Sequence, residues 1–277
     1  MNFINCSNQL SPDIFRKTVA FWSENSYQHI SSLLKSPQGT TAVLQNEFKE
    51  KLQDYYKKFK EINDLYKTEN SRLSIKPEQF FRLNQNFINL LERIKFEGFS
   101  GYPILQQSVF HYIYEQKYIN AVFGMKNSVG YVLITEFFAP FSSYPLSCIY
   151  NQMYFWSIIG AMHPSLLLET NAFYNAINGY SKEFLTEITN NFNRINFRLS
   201  SCHKPIKKTA LKEIFEDFQN INLSILDFLL LVKSNNPKIY SYPASVNLSE
   251  QFYNKVEHMI KEHTLVKEIN KNIQQTF

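Results

Sequence analysis

Apolar residues recur at helical spacing in eight blocks along this chain, separated by short polar or Gly/Pro-bearing stretches. In the first block Ile14, Val19, Trp22, His29 and Leu33 follow Ser11 as a possible N-cap and Pro12 at the first helical position. "SPQGTT" (36–41) reads as a turn. A second helix is predicted from about Val43 to Tyr66, with Leu44, Phe48, Leu52, Tyr55, Phe59 and Ile62 as its apolar stripe. A third runs from about Glu78 to Ile94, where "FEGFSGYP" breaks it, and a fourth from about Ile104 to Phe123. Four helices joined by short loops are the plan of a four-helix bundle.

The pattern then restarts. "GMKNSVGYVLITEFFAPFSSYPLS" (124–147) reads as a connection. After it come a helix from Cys148 to Ile177 bent at Pro164, a second from Tyr180 to Ser200 and a third from Leu211 to Val232. "KSNNPKIYSYPASVN" (233–247) is predicted as a loop, and a fourth helix follows with Ser249 or Asn247 as its cap. The two tryptophans, Trp22 and Trp156, each stand in Phe-Trp-Ser, with His29 and His163 seven residues further on. "NEF" (46–48) matches "KEF" (182–184), and "LLE" (90–92) matches "ILD" (225–227), at nearly the same offset. Matches at a fixed offset are the signature of internal duplication. The expected fold is therefore all-α: two tandem, pseudo-symmetric four-helix bundles over 1–123 and 148–277, with 124–147 between them.

Composition supports this. Hydrophobic residues make up 44% of the 277 positions and charged ones 19%, enough for a sizeable core. Only 7 glycines are present, too few for the turns and phosphate loops of all-β or doubly wound folds. The net charge of +5 is spread along the chain without a basic stripe, so nucleic-acid binding is not expected. Cys6, Cys148 and Cys202 form no CxxC pair, which suits a reducing cytoplasm rather than a disulfide or zinc framework. The N-terminus shows no signal peptide, and "ILDFLLLV" (225–232) is too short to span a bilayer, so a cytoplasmic protein without membrane contact is expected.

The chemistry resides in the histidines. His29 and His163 hold equivalent places in the first helix of each half. The fourth helices carry "FHYIYEQ", with His111 and Glu115, and "EHMIKEH", with His258 and Glu262. Residues four apart share a helix face, so each His-x-x-x-Glu pair can converge on one point. Two imidazoles and one carboxylate suit iron, manganese or zinc, and leave positions open for water, dioxygen or a small substrate. The plainer reading, hydrogen-bonded core pairs copied with the rest of the repeat, stays open. Glu47 and Glu183, and Glu92 and Asp227, are matched carboxylates better explained as solvated surface groups; His203 lies in a loop. His263, whose counterpart is Gln116, is expected to be exposed, as is His203. No GxSxG, Walker or GxGxxG sequence is present, so serine-hydrolase and nucleotide-binding readings lack support.

Tandem "FW…H" helices, each followed by a "H-x-x-x-E" helix, resemble the bacterial domain-of-unknown-function 2935 family over nearly the whole chain. That family is similar to hemerythrin- and ferritin-like bundles, with two four-helix repeats and a metal, iron first, among His and Glu side chains. The resemblance implies a metal at His29, His111 and Glu115 and another at His163, His258 and Glu262. This chain departs from the family around the ligands, with Gln28 and Met162 before the first-helix histidines, where an acidic residue is usual. A non-haem metal-dependent oxidoreductase, a metal or dioxygen sensor or store without turnover, and a helical interaction protein with a decayed site all fit this pattern.

Overall fold

The computed structural model describes residues 12–35, 44–67, 77–98, 103–124, 144–201, 206–241, 248–274 and 277. Among these residues the chain is all-helical, with no strand and one isolated bridge between Ile177 and Tyr240. The helices fall into two compact units. The first carries α1 (Pro12–Lys35), α2 (Asn46–Lys67), α3 (Pro77–Arg93), a π-helical turn (Ile94–Gly98) and α4 (Pro103–Gly124). The second carries α5 (Tyr144–Leu168), α6 (Asn171–Ala176), α7 (Gly179–Ser200), α8 (Lys208–Lys233) and α9 (Glu250–Gln274).

In the first unit α1 packs along α2 and meets α4, while α3 packs along α4. The predicted stripe of α2 is the packed face: Phe48, Leu52 and Phe59 are fully enclosed and Ile62 nearly so. Phe59 meets Phe80 and Phe87 of α3 edge-on, at ring distances of 6.4 and 5.3 Å. Each such ring contributes about 1.5–3 kcal/mol on burial, so these aromatic contacts help join α2 to α3. Between α2 and α1 the seam is also polar: the Asn63 amide donates to the Ala20 carbonyl at 2.7 Å.

In the second unit α5 packs along α7 and touches α8 and α9; α8 packs along α9 and α7. Its helix ends are capped by side chains and turns. The Asn178 side chain accepts from the Ser181 N–H at 2.7 Å, and the Ser249 hydroxyl accepts from the Phe252 N–H at 3.2 Å. Past α8, Asn235 adopts a left-handed φ of 51°. Its N–H donates to the Val232 carbonyl at 3.1 Å, and that of Asn236 to Leu231 at 3.0 Å, the Schellman pattern.

Two boundaries differ from the sequence expectation. The single helix predicted for Cys148–Ile177 starts earlier, at Tyr144, and ends at Leu168; a turn at Glu169–Thr170 separates it from α6. Pro164 lies one turn before that end, where its missing N–H leaves the helix least able to continue. The loop predicted for 233–247 is partly ordered by pairing: Asn178 N–H donates to Ile239 and Ser241 N–H to Ala176, tying the segment to the end of α6. Ser11, Asn247, Cys6, Cys202, His203, the turn at 36–41 and nearly all of the 124–147 connection lie outside the described residues.

Candidate metal centres

In the first unit, Trp22, Asn25, Ser26 and His29 share one face of α1 by helical spacing, and all are buried. On α4, His111 and Glu115 share a face one turn apart. His111 is 2% exposed and Glu115 is fully enclosed. The three side chains, from two helices, converge. His111 Nε2 lies 2.6 Å from Glu115 Oε1, and His29 Nδ1 lies 3.4 Å from Glu115 Oε2. The Asn25 amide donates to Glu115 Oε2 at 2.9 Å, fixing that oxygen from α1. The His29 ring stacks on Tyr112, with centroids 3.8 Å apart and planes 17° apart, so its orientation is set by packing. His29, His111 and Glu115 each offer a donor atom within 4.8 Å of the others.

The second unit repeats the types with a different network. His258 Nε2 lies 3.2 Å from Glu262 Oε1, and His163 Nε2 lies 3.1 Å from Glu262 Oε2. Pro164, expected to disturb His163, leaves it buried and within reach of Glu262. Behind His163 stands His263: His163 Nδ1 and His263 Nε2 are 2.9 Å apart. His263 Nδ1 is in turn 2.7 Å from Asn222 Oδ1 on α8, and the Asn222 amide donates to the His263 carbonyl at 3.1 Å. Burial would raise the Glu262 carboxyl, but the facing imidazoles of His258 and His163 overcome it and hold the group well below the usual carboxylate range. Burial, and then the neighbouring His163, push His263 well below the ordinary histidine range, so its ring is neutral.

His263, expected at the surface, is instead a core residue, as is its counterpart Gln116, at 3% and 0% exposure. The signal was present: Val256, Met259, His263, Val266 and Asn270 are a continuous buried stripe at helical spacing on α9. His263 belongs to it, whereas a comparison with its charged neighbours Lys261 and Glu262 suggests the surface. Asn25 and Asn222 were missed as well, because a lone Asn in a helix carries no spacing signature. The other carboxylates stand where expected. Glu47 pairs with Lys51 at the surface and Glu92 with Lys117 at 2.9 Å, while Glu183 and Asp227 are exposed.

These donors fit a divalent cation. Neutral imidazole and carboxylate are borderline-to-hard ligands accepted by iron, manganese and zinc. Ligand atoms about 2.1 Å from one ion lie about 3.0–4.2 Å from each other, so the spacings of 3.1–3.4 Å are already in range, the 2.6 Å between His111 and Glu115 must open, and a 4.8 Å spread needs only a small closing. In the first unit His29, His111 and Glu115, and in the second His258 and Glu262, could thus hold a metal ion. Among the described residues no helix is long and apolar enough to cross a membrane. No protein-family model matches the chain, and no curated protein matches it.

Proposed function

We propose that this chain is a divalent-metal-binding helical protein of the non-haem type, with iron the first candidate and manganese or zinc the alternatives. One observation carries the reading: two carboxylates, Glu115 and Glu262, are at most 1% exposed, and each faces two imidazole nitrogens, one from its own helix and one from another. Enclosing a carboxylate costs several kcal/mol unless positive charge and hydrogen bonds compensate. A bound cation supplies that charge and leaves the imidazoles neutral, as ligands must be. Two nitrogens and a carboxylate leave coordination positions for water, dioxygen or a small molecule. When bound, the metal supplies Lewis-acid or redox chemistry; the chain's own residues hold it, orient the ligands and exclude bulk water.

We further propose that the units are tandem copies of one four-helix bundle, of the kind the domain-of-unknown-function 2935 resemblance implies. The repetition of a buried contact supports this. Asn84 on α3 donates to the Gln116 carbonyl at 2.9 Å, and Asn222 on α8 donates to the His263 carbonyl at 3.1 Å. In both units an Asn on the third long helix thus grips the residue that follows the site glutamate. Both tryptophans are buried in the first long helix of their unit. A cytoplasmic location and small-molecule partners complete the proposal, resting on the low, odd cysteine count and the open coordination positions.

The test is elemental analysis of protein purified without chelator, beside a His111→Ala variant. The reading expects a transition metal or zinc near stoichiometry, reduced in the variant while far-UV circular dichroism stays helical. Metal-free wild-type protein that gains no metal on incubation with iron(II), manganese(II) or zinc(II) overturns it.

A further inference from the structure

The second unit contains a chain of polar groups whose proton positions follow from one end. The Asn222 amide donates to the His263 backbone carbonyl at 3.1 Å, so the other end of that side chain, its oxygen, is what faces His263 Nδ1 at 2.7 Å. An amide oxygen only accepts, so His263 Nδ1 carries the proton. In a neutral ring the other nitrogen is then an acceptor. His263 Nε2 faces His163 Nδ1 at 2.9 Å, so His163 Nδ1 must be the donor. With that ring neutral, as a metal ligand must be, His163 Nε2 is left as its electron-pair end, and it is this atom that stands 3.1 Å from Glu262 Oε2.

Two electron-pair donors brought together at that distance repel unless a proton or a metal cation lies between or beside them. A ligand histidine typically donates its second N–H to a fixed acceptor, which sets its tautomer and aims its free nitrogen. Here the acceptor is another histidine, buried at 3% exposure and itself anchored by a buried Asn. In the first unit Gln116 stands where His263 does, and its Oε1 accepts from Ser26 at 3.3 Å. There it is Nδ1 of His29, not Nε2, that lies 3.4 Å from the carboxylate.

We propose that Asn222 and His263 form a tautomer lock that fixes His163 as its Nδ1–H form and presents Nε2 toward Glu262. Both are positioning residues: they act on the ligand rather than on the metal. The lock deepens the metal-binding reading and rests on it for its purpose, but its geometry is testable by itself. It holds the second unit's first-helix histidine by a relay, while that of the first unit stacks on Tyr112.

The experiment is long-range proton–nitrogen correlation NMR of the full chain labelled with nitrogen-15 histidine, first chelator-treated and then with zinc(II) added. Single His→Gln variants assign the rings. The lock expects His263 as the Nδ1–H tautomer, His163 with a proton on Nδ1, and the zinc-induced change on His163 Nε2. Asn222→Leu should scramble the His163 tautomer and weaken zinc binding to this unit about 10–100-fold. Asn222→Asp, which keeps the accepting oxygen, should restore the tautomer. A His263 ring protonated on Nε2 in the wild-type protein overturns the lock, as does an Asn222→Leu variant with an unchanged His163 tautomer. If Asn222→Leu does not fold, the wild-type spectrum decides alone. Expected tautomers with no response to zinc uphold the lock and count against the metal reading instead.

Discussion

Two glycines of the second unit make opposite predictions from the same substitution. Gly160 lies inside α5, four residues before Pro164, and a Cβ there would meet three atoms of the Phe192 ring at 2.6, 2.7 and 2.8 Å. Carbon atoms pack best at about 3.5–4.0 Å, so the ring must retreat by roughly 1 Å. Phe192 has no exposed surface to retreat into, and its ring lies between Phe218 (6.1 Å) and His263 (6.3 Å). Overpacking of this kind costs about 1–3 kcal/mol, against roughly 1 kcal/mol gained by replacing Gly with Ala in a helix. Gly160→Ala should therefore gain nothing and lose up to about 2 kcal/mol. Gly179 opens α7 with nothing within 4 Å of its would-be Cβ. Gly179→Ala should gain about 0.4–1 kcal/mol by restricting the unfolded chain. Urea unfolding of the full chain, followed by far-UV circular dichroism, measures both against wild type. If Gly160→Ala is as stable as Gly179→Ala, the tight contact between α5 and the Phe192 ring is wrong, and with it the packing behind His263.

Other consequences follow from the buried polar groups. Asn84 is enclosed and donates to both the Gln116 carbonyl and the Asn120 side chain, so Asn84→Leu should cost about 1–3 kcal/mol, read from the urea midpoint. His263 has its folded-state value depressed, so its contribution to stability is full above the unfolded histidine value near ~6.5 and is lost as pH falls from there toward the folded value, by up to about 1.4 kcal/mol per pH unit. Urea midpoints taken between about pH 7.5 and 5 should show that decline, flattened in a His263→Gln variant; a profile unchanged by the substitution contradicts a buried neutral imidazole. Stripping metal with a chelator should lower the thermal midpoint, and restoring it at about 100 times its dissociation constant should return roughly 2.7 kcal/mol. A midpoint indifferent to both treatments would mean that the imidazoles alone satisfy Glu115 and Glu262.

The residues differ in how openly the sequence announces them. The helices were legible because Phe48, Leu52 and Phe59 repeat at helical spacing and nothing interrupts them. His111 with Glu115 and His258 with Glu262 were legible because four-residue spacing on a helix fixes a common face whatever the surroundings. Asn25, Asn222 and His263 were not, since their roles depend on which helix packs opposite, and that is decided by tertiary contacts. The end of α5 was obscured because apolar residues run on through Leu166, Leu167 and Leu168 toward Phe173 while the backbone turns at Thr170. Gln116 looks like a surface residue by type, yet it lies on the buried face of α4 between Tyr112 and Ile119.

X-ray absorption at the edge of the metal that copurifies with the chain tests the central claim most directly, because it reports the ligands as well as the ion. The account predicts a nitrogen and oxygen shell at about 2.0–2.2 Å, with the outer-shell scattering of imidazole and no sulfur. That scattering should diminish in His111→Ala. A shell of sulfur, a shell of water oxygens alone, or an imidazole signal indifferent to His111 would contradict it.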